Sequence, residues 1–95
     1  MANENALKVP GPAMRDPKSF EVVRAWIAES SLQVSLRTGV WDNPADYGVL
    51  LFDIMQQVAI AYEENEGYNQ WEILEKIKAG LDEEFAAAFK KRKSA

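Results

Sequence analysis

The chain has 95 residues, of which 47% are hydrophobic and 27% charged, and its formal net charge is −4. These values are typical of one globular domain, and no apolar run approaches the ~20 residues that cross a membrane. Cysteine and histidine are absent, which excludes disulfides, thiolate or imidazole metal sites and Cys- or His-based nucleophiles. We therefore expect a cytoplasmic protein that is not an enzyme and that holds no metal or cofactor.

The N-terminal segment is dominated by a Pro-Gly-Pro run at residues 10–12. Two prolines around a glycine disfavour the interior of a helix. The sequence therefore predicts a flexible or extended arm over residues 1–15, within which residues 6–9 could form a very short strand.

A first helix is predicted after this arm. The Asp-Pro pair at residues 16–17 offers a polar cap followed by proline in the first helical position. Phe20, Val23 and Ile27 then recur at helical spacing. These signals place the helix at about residues 17–29.

The next segment has the clearest strand pattern of the chain. Leu32, Val34 and Leu36 alternate with polar residues, so that the three apolar side chains share one face. The sequence therefore predicts a half-buried strand over residues 31–37.

A single strand needs a hydrogen-bonding partner. Residues 6–9 could pair with it in parallel across the first helix, within one chain. Alternatively, the strand could pair with its own copy in a second molecule, and Leu32, Val34 and Leu36 would then be candidate interface residues.

A second helix is predicted to begin at about residue 44, because the Asp-Asn-Pro run at 42–44 repeats the cap-then-proline pattern. Its apolar face is unusually wide, and Gly67 is predicted to end it. Such a width requires cover from more than one direction, so we expect this helix to be central. The apolar face consists of Tyr47, Leu50, Leu51, Ile54, Val58, Ala61 and Tyr62, and it is widened by Phe52, Met55 and Ala59.

A third helix is predicted to begin with Asn69 as its cap and Glu72 at the third helical position, in the manner of a capping box. Its apolar stripe has helical spacing throughout. The stripe consists of Trp71, Leu74, Ile77, Leu81, Phe85 and Ala88.

The globular domain is predicted to span residues 16–89 and to be followed by a basic tail over residues 90–95.

The charges are unevenly distributed along the chain. All 15 acidic residues precede the basic run at residues 90–93. An acidic body repels phosphate backbones, which makes nucleic acid an unlikely partner, and the basic run suits the negative end of a helix. Acidic runs at 63–66 and 82–84 lack the ligand spacing of a calcium loop and are predicted to be solvated.

The polar and aromatic side chains around the second helix start form a candidate ligand site. Arg37 and Trp41 could clamp an anion by charge and stacking, with Tyr47 and Asp53 nearby. The alternative is structural: Trp41 packs the helix entry, and Arg37 pairs with Asp42, Asp46 or Asp53.

The middle of the chain resembles a family of small proteobacterial proteins, domain of unknown function 5076. The resemblance covers about residues 20–85 and leaves out the arm and the basic tail. It rests on Ala25-Trp26, on Gly39-Val40-Trp41, on the D-x-P-A-x-x-G-V-x-L-x-D-I pattern of residues 42–54 and on the run ending at Phe85. The family has no assigned activity, so the resemblance implies a fold and a bacterial cytoplasmic origin, without catalytic residues.

Together these patterns predict a small α+β domain of three helices and one or two short strands, in the order (β)αβαα. Surplus apolar surface and few catalytic residue types favour a noncatalytic interaction module, either a homodimer or an accessory subunit of another protein. The alternative is a small-molecule binding or carboxylate-based enzymatic domain centred on Arg37, Trp41 and Asp53.

Overall fold

The computed structural model describes residues 4–94, and these divide into two compact units, one up to Asp42 and one from Asn43. The α+β class is confirmed, but the order is αββαα. The first unit contains a short helix and a β-hairpin, and the second contains a pair of long helices. The elements are α1 (Gly11–Arg15), β1 (Val23–Ala28), β2 (Ser31–Leu36), α2 (Ala45–Glu66) and α3 (Gln70–Ser94).

The predicted helix over residues 17–29 is wrong, because its second half forms strand β1. Val23, Ala25 and Ile27 alternate with Arg24 and Trp26 and lie opposite the apolar residues of β2, and this pairing prevailed over the helical spacing. The Asp-Pro pair at 16–17 begins a turn instead of a helix: the carboxylate of Asp16 accepts a hydrogen bond from the backbone N–H of Lys18 at 2.9 Å.

Strand β2 is confirmed, and its partner is β1 of the same chain in an antiparallel register. Val23 lies opposite Leu36, Ala25 opposite Val34, and Ile27 opposite Leu32. The two-residue loop of Glu29 and Ser30 has φ values of 53° and 64°, as a type I′ hairpin turn requires. The proposed pairing of β2 with residues 6–9 is wrong, and these four residues form no strand.

The Pro-Gly-Pro run opens helix α1, where the sequence predicted an extended arm. The helix has five residues, and Pro12 lies in its first turn. Proline is tolerated there because the first N–H groups of a helix have no intrahelical acceptor.

The start and end of α2 follow the predicted signals. The side-chain oxygen of Asn43 accepts a hydrogen bond from the N–H of Ala45 at 3.0 Å, at the helix start. At the other end Gly67 adopts a φ of 77°, and its N–H donates to the carbonyl of Glu63. This left-handed conformation is one that glycine adopts with little strain.

Helix α3 begins at the predicted cap. The side-chain oxygen of Asn69 accepts hydrogen bonds from the N–H groups of Trp71 at 2.9 Å and Glu72 at 3.3 Å. The carboxylate of Glu63 accepts two hydrogen bonds from Gln70, which ties the end of α2 to the start of α3. Helix α3 continues through the basic run to Ser94.

The core of the helix pair is small and lies near the loop that joins α2 to α3. Ala59 of α2 is 0% exposed, and Ile73 and Leu74 of α3 are 7% and 8% exposed. Met55 and Ile77 pack against them. None of the helices within residues 4–94 is long and apolar enough to span a membrane.

Candidate functional site

Arg37 follows β2 and is held at the base of the hairpin. Its Nε donates a hydrogen bond to the carbonyl oxygen of Glu21 at 2.9 Å, and its guanidinium lies 5.2 Å from the ring centroid of Phe20. The sequence offered Asp42, Asp46 and Asp53 as its partners. The guanidinium instead joins the chain before β1 to the end of β2.

The four candidate ligand residues are divided between the two units. Arg37 and Trp41 belong to the first unit, and Tyr47 and Asp53 belong to the second. Tyr47 is half-buried in the first turn of α2, whereas Asp53 is exposed in its middle. A ligand site formed by all four side chains stays a prediction.

One open hollow belongs to the first unit. It has a volume of about 570 Å³, is open to solvent and lies between residues 5–10 and β1. Its two charged side chains nearest the strand, Arg24 and Glu21, are bonded to each other at 2.8 Å. A second, shallower hollow of about 270 Å³ includes Arg37.

Two exposed ion pairs raise the pKa of their basic partners. The pKa of Arg24 is raised by a hydrogen bond from its guanidinium to Glu21 and by the charge of that carboxylate. The pKa of Lys78 is raised in the same way by Asp82, whose carboxylate lies 2.8 Å from the Lys78 Nζ. Both pairs hold surface side chains in place and do not build a catalytic pair.

Acidic side chains are numerous, yet between residues 4 and 94 no three of them are grouped as a metal ion would require. The acidic runs at 63–66 and 82–84 lie on exposed helix surface. Glu63 is used in the loop between the helices, where it binds Gln70.

The candidate interface residues lie on one face of the β-hairpin, which we call the hairpin face. Residues opposite each other in an antiparallel register point to the same side of the sheet, so β1 and β2 together present six apolar side chains. Ile27 is 76% exposed, and all three candidates on β2 are more than half exposed. The hairpin face consists of Val23, Ala25, Ile27, Leu32, Val34 and Leu36.

The sequence reasoning missed the β1 half of this surface, because residues 23–28 were assigned to a helix. The alternation of Val23, Ala25 and Ile27 with Arg24 and Trp26 was the available signal. It is weaker than the alternation in β2, because Trp26 and Ala28 on the other face are also apolar.

A second apolar surface runs along the C-terminal half of α3, and we call it the α3 ridge. It consists of Leu81, Phe85 and Phe89, which are 42%, 52% and 55% exposed. The two phenylalanine rings stack on each other, with centroids 6.0 Å apart and an interplanar angle of 29°. Every side chain described from Lys78 to Lys93 is exposed.

The comparisons with known proteins agree with the fold. Residues 6–88 match the family described as domain of unknown function (DUF5076), so the match includes most of the arm that the sequence resemblance left out. A solved structure from a photosynthetic Rhodopseudomonas, strain CGA009, is similar over 90% of this chain and 86% of its own, with a TM-score of 0.71 and 25% identity. That neighbour is named as a pyruvate dehydrogenase candidate. No curated protein is significantly similar in sequence.

Proposed function

The chain belongs to the DUF5076 family, and from that premise we propose that it is a noncatalytic interaction module. In this proposal it works as a homodimer or as an accessory subunit of another protein. It acts by presenting apolar surface to its partner, and it performs no reaction of its own.

The observation that carries this proposal is the imbalance between buried and exposed apolar side chains. The buried core of the described chain consists of Ala59, Ile73 and Leu74. Leu, Ile, Val, Phe, Tyr and Trp side chains are exposed on both strands and both long helices. Apolar patches larger than a few hundred Å² on a monomer mark interaction surfaces.

The β-hairpin supports the same proposal. An isolated two-stranded hairpin is at best marginally stable in water, and it gains stability when its apolar face packs against something. Ile27, at 76% exposure, and Leu32, at 63%, lie opposite each other on this face. Cover for them would stabilise the hairpin as well as the complex.

The test is a pair of substitutions on one strand. In Val34→Lys a charge enters the hairpin face, and in Gln33→Lys the same charge enters the opposite, polar face of β2. The proposal predicts that Val34→Lys lowers the mass in solution, measured by light scattering after size exclusion. Gln33→Lys should leave the mass unchanged.

An unchanged mass for Val34→Lys together with a lower melting temperature would assign the hairpin face to packing within the chain. The oligomer would then depend on another surface. A monomeric parent chain at every concentration would refute the homodimer and leave the accessory subunit, which affinity purification of the tagged chain from its host tests.

The cellular compartment and the class of partner are also proposals. The compartment expected from the sequence is the cytoplasm, and fractionation of cells that express the tagged chain tests it. The net acidic chain, with 15 acidic and 11 basic residues, favours a protein partner over nucleic acid. A gel shift at low salt with random duplex DNA should therefore show no complex.

The alternative function predicted from the sequence is a ligand or enzymatic site around Arg37, Trp41 and Asp53. A tryptophan fluorescence change with an anionic metabolite, lost in Arg37→Ala, would favour it. Because the Arg37 guanidinium is engaged by Glu21 and Phe20, the interaction module predicts no such change.

A further inference from the structure

The C-terminal half of α3 lies beyond the buried residues of this helix, Ile73 and Leu74. From Gly80 to Ser94 it spans 15 residues, which continue the packed first half of α3. Every side chain described in this half is exposed. Its apolar side, the α3 ridge, is therefore largely exposed, and cover over it would stabilise this half of the helix.

The charges around the ridge are arranged symmetrically along the helix. Asp82 lies five residues before Ala87, and Arg92 lies five residues after it. Phe85 and Phe89 lie two residues before and two after the same position. At about 100° per residue, Asp82 and Arg92 are both within about 60° of Phe85 around the helix, so they border the ridge.

We infer that the α3 ridge binds the α3 ridge of a second copy of this chain, in an antiparallel pair whose two-fold axis passes at the level of Ala87. The inference rests on the homodimer proposed above and adds a second contact surface to the hairpin face. A two-fold interface brings residue i of one copy to residue j of the other, and j to i. Phe85 then meets Phe89 of the other copy, and Asp82 meets Arg92, each contact occurring twice.

Charge complementarity favours a second copy of this chain as the partner and an antiparallel orientation of the two helices. When the helices are antiparallel, Asp82 of each copy lies beside Arg92 of the other, so opposite charges meet at both ends of the ridge. A parallel pair would place like charges together, which is unfavourable. The Asp82 carboxylate already accepts a hydrogen bond from Lys78 through Oδ2, and its Oδ1 can accept a second one from Arg92.

The side chains at the centre of the pair suit a close crossing. Ala88 lies about 60° from Phe85 around the helix, beside the ridge, and a small side chain there lets two helices approach within the usual ~8–10 Å axial distance. Next to Ala88, the stacked rings of Phe85 and Phe89 from both copies would form a cluster of four. Aromatic pairs prefer offset or edge-to-face contacts, which such a cluster provides.

The experiment reverses the charges on each side of the axis. An acid-reversed chain carries Asp82→Lys, and a base-reversed chain carries Arg92→Glu. Each alone places like charges together in the antiparallel pair. We expect its dimer dissociation constant to rise about thirtyfold or more, because each reversed contact occurs twice. An equimolar mixture should form heterodimers with an affinity close to that of the parent homodimer.

The control chain carries Glu83→Lys, which changes the net charge as Asp82→Lys does. Glu83 lies about 160° from Phe85 around α3, on the far side of the helix. Its dissociation constant should stay within about threefold of the parent, as surface substitutions away from an interface usually do. Circular dichroism of each chain and of the mixture checks that α3 remains helical.

A milder variant keeps the test decisive if the reversed chains fold poorly. The parent has no cysteine, so Ala88→Cys gives a single thiol beside the ridge and close to the two-fold axis. Under mild oxidation it should form a disulfide-linked dimer, since bridged Cα atoms must lie within about 7 Å. Ala87→Cys, on the far side of α3, should not.

A monomeric parent would refute the homodimer and this inference together. A dimeric parent whose affinity is the same in the acid-reversed, base-reversed and control chains would overturn the antiparallel α3 pair alone. Equal cross-linking of Ala87→Cys and Ala88→Cys would also overturn it.

Discussion

Replacement of Leu74 by alanine tests the small core of the helix pair. Leu74 is 8% exposed and belongs to a cluster with Ala59 and Ile73. Ala59 has no side-chain atoms beyond Cβ with which to fill the space that a lost isobutyl group leaves. Buried Leu→Ala changes cost about 2–5 kcal/mol, including the cavity that remains, and we expect about 3 kcal/mol here.

The assay is urea unfolding followed by far-UV circular dichroism, at one fixed protein concentration because association contributes to apparent stability. Glu75→Ala, next along α3 and exposed, is the matched control and should change the free energy of unfolding by less than about 0.5 kcal/mol. A loss for Leu74→Ala below about 1 kcal/mol would refute the packing of α3 on α2 described above.

Four further substitutions concern the backbone and its caps, and all are measured by thermal unfolding. Gly67→Ala should destabilise by about 1 kcal/mol, because it forces a φ of 77° on alanine. Gly80→Ala should stabilise by about 0.5–1 kcal/mol, since no atom lies within 4 Å of the added Cβ. The free energy of unfolding should therefore fall in Gly67→Ala and rise in Gly80→Ala, and a change in the same direction would contradict the reasoning. Asn69→Ala should cost about 1 kcal/mol through loss of the α3 cap, and an unchanged melting temperature would contradict that role. Glu29→Asn with Ser30→Gly should stabilise the hairpin by about 0.5–1 kcal/mol, because these residues suit a type I′ turn; a loss would contradict the turn.

The second half of the fold was predictable because its signals do not conflict. The helical spacing in α2 and α3 extends over many turns. In the loop that joins them, Gly67 fits a helix end and Asn69 fits a helix cap, and neither residue fits another role. Strand β2 was equally clear from its period of two. The elements that were predicted correctly are those in which the residue spacing and the residues at the ends indicate the same structure.

The first half was mispredicted because residues 20–27 fit two periods at once. Phe20, Val23 and Ile27 satisfy a helix, while alternation from Val23 onward satisfies a strand. Residues 23–28 form a strand because they pair with β2, and this pairing is a tertiary contact. The hairpin loop Glu29-Ser30 carries no glycine or asparagine, so the usual turn signal was absent.

The candidate site shows the same division. Leu32, Val34 and Leu36 were found because β2 was found, and the β1 half of the hairpin face was missed with β1. Arg37 was chosen for its charge, but its contacts with Glu21 and Phe20 depend on the hairpin. A partner set by tertiary structure cannot be read from neighbouring residues alone.

The central claim is that this chain buries its surplus apolar surface against a partner, and first against a second copy of itself. Absolute mass in solution, measured by light scattering over a wide concentration range, tests it most directly. The account predicts a concentration-dependent dimer of about twice the 10.7 kDa chain mass. A constant 10.7 kDa monomer that unfolds cooperatively at every concentration would contradict self-association.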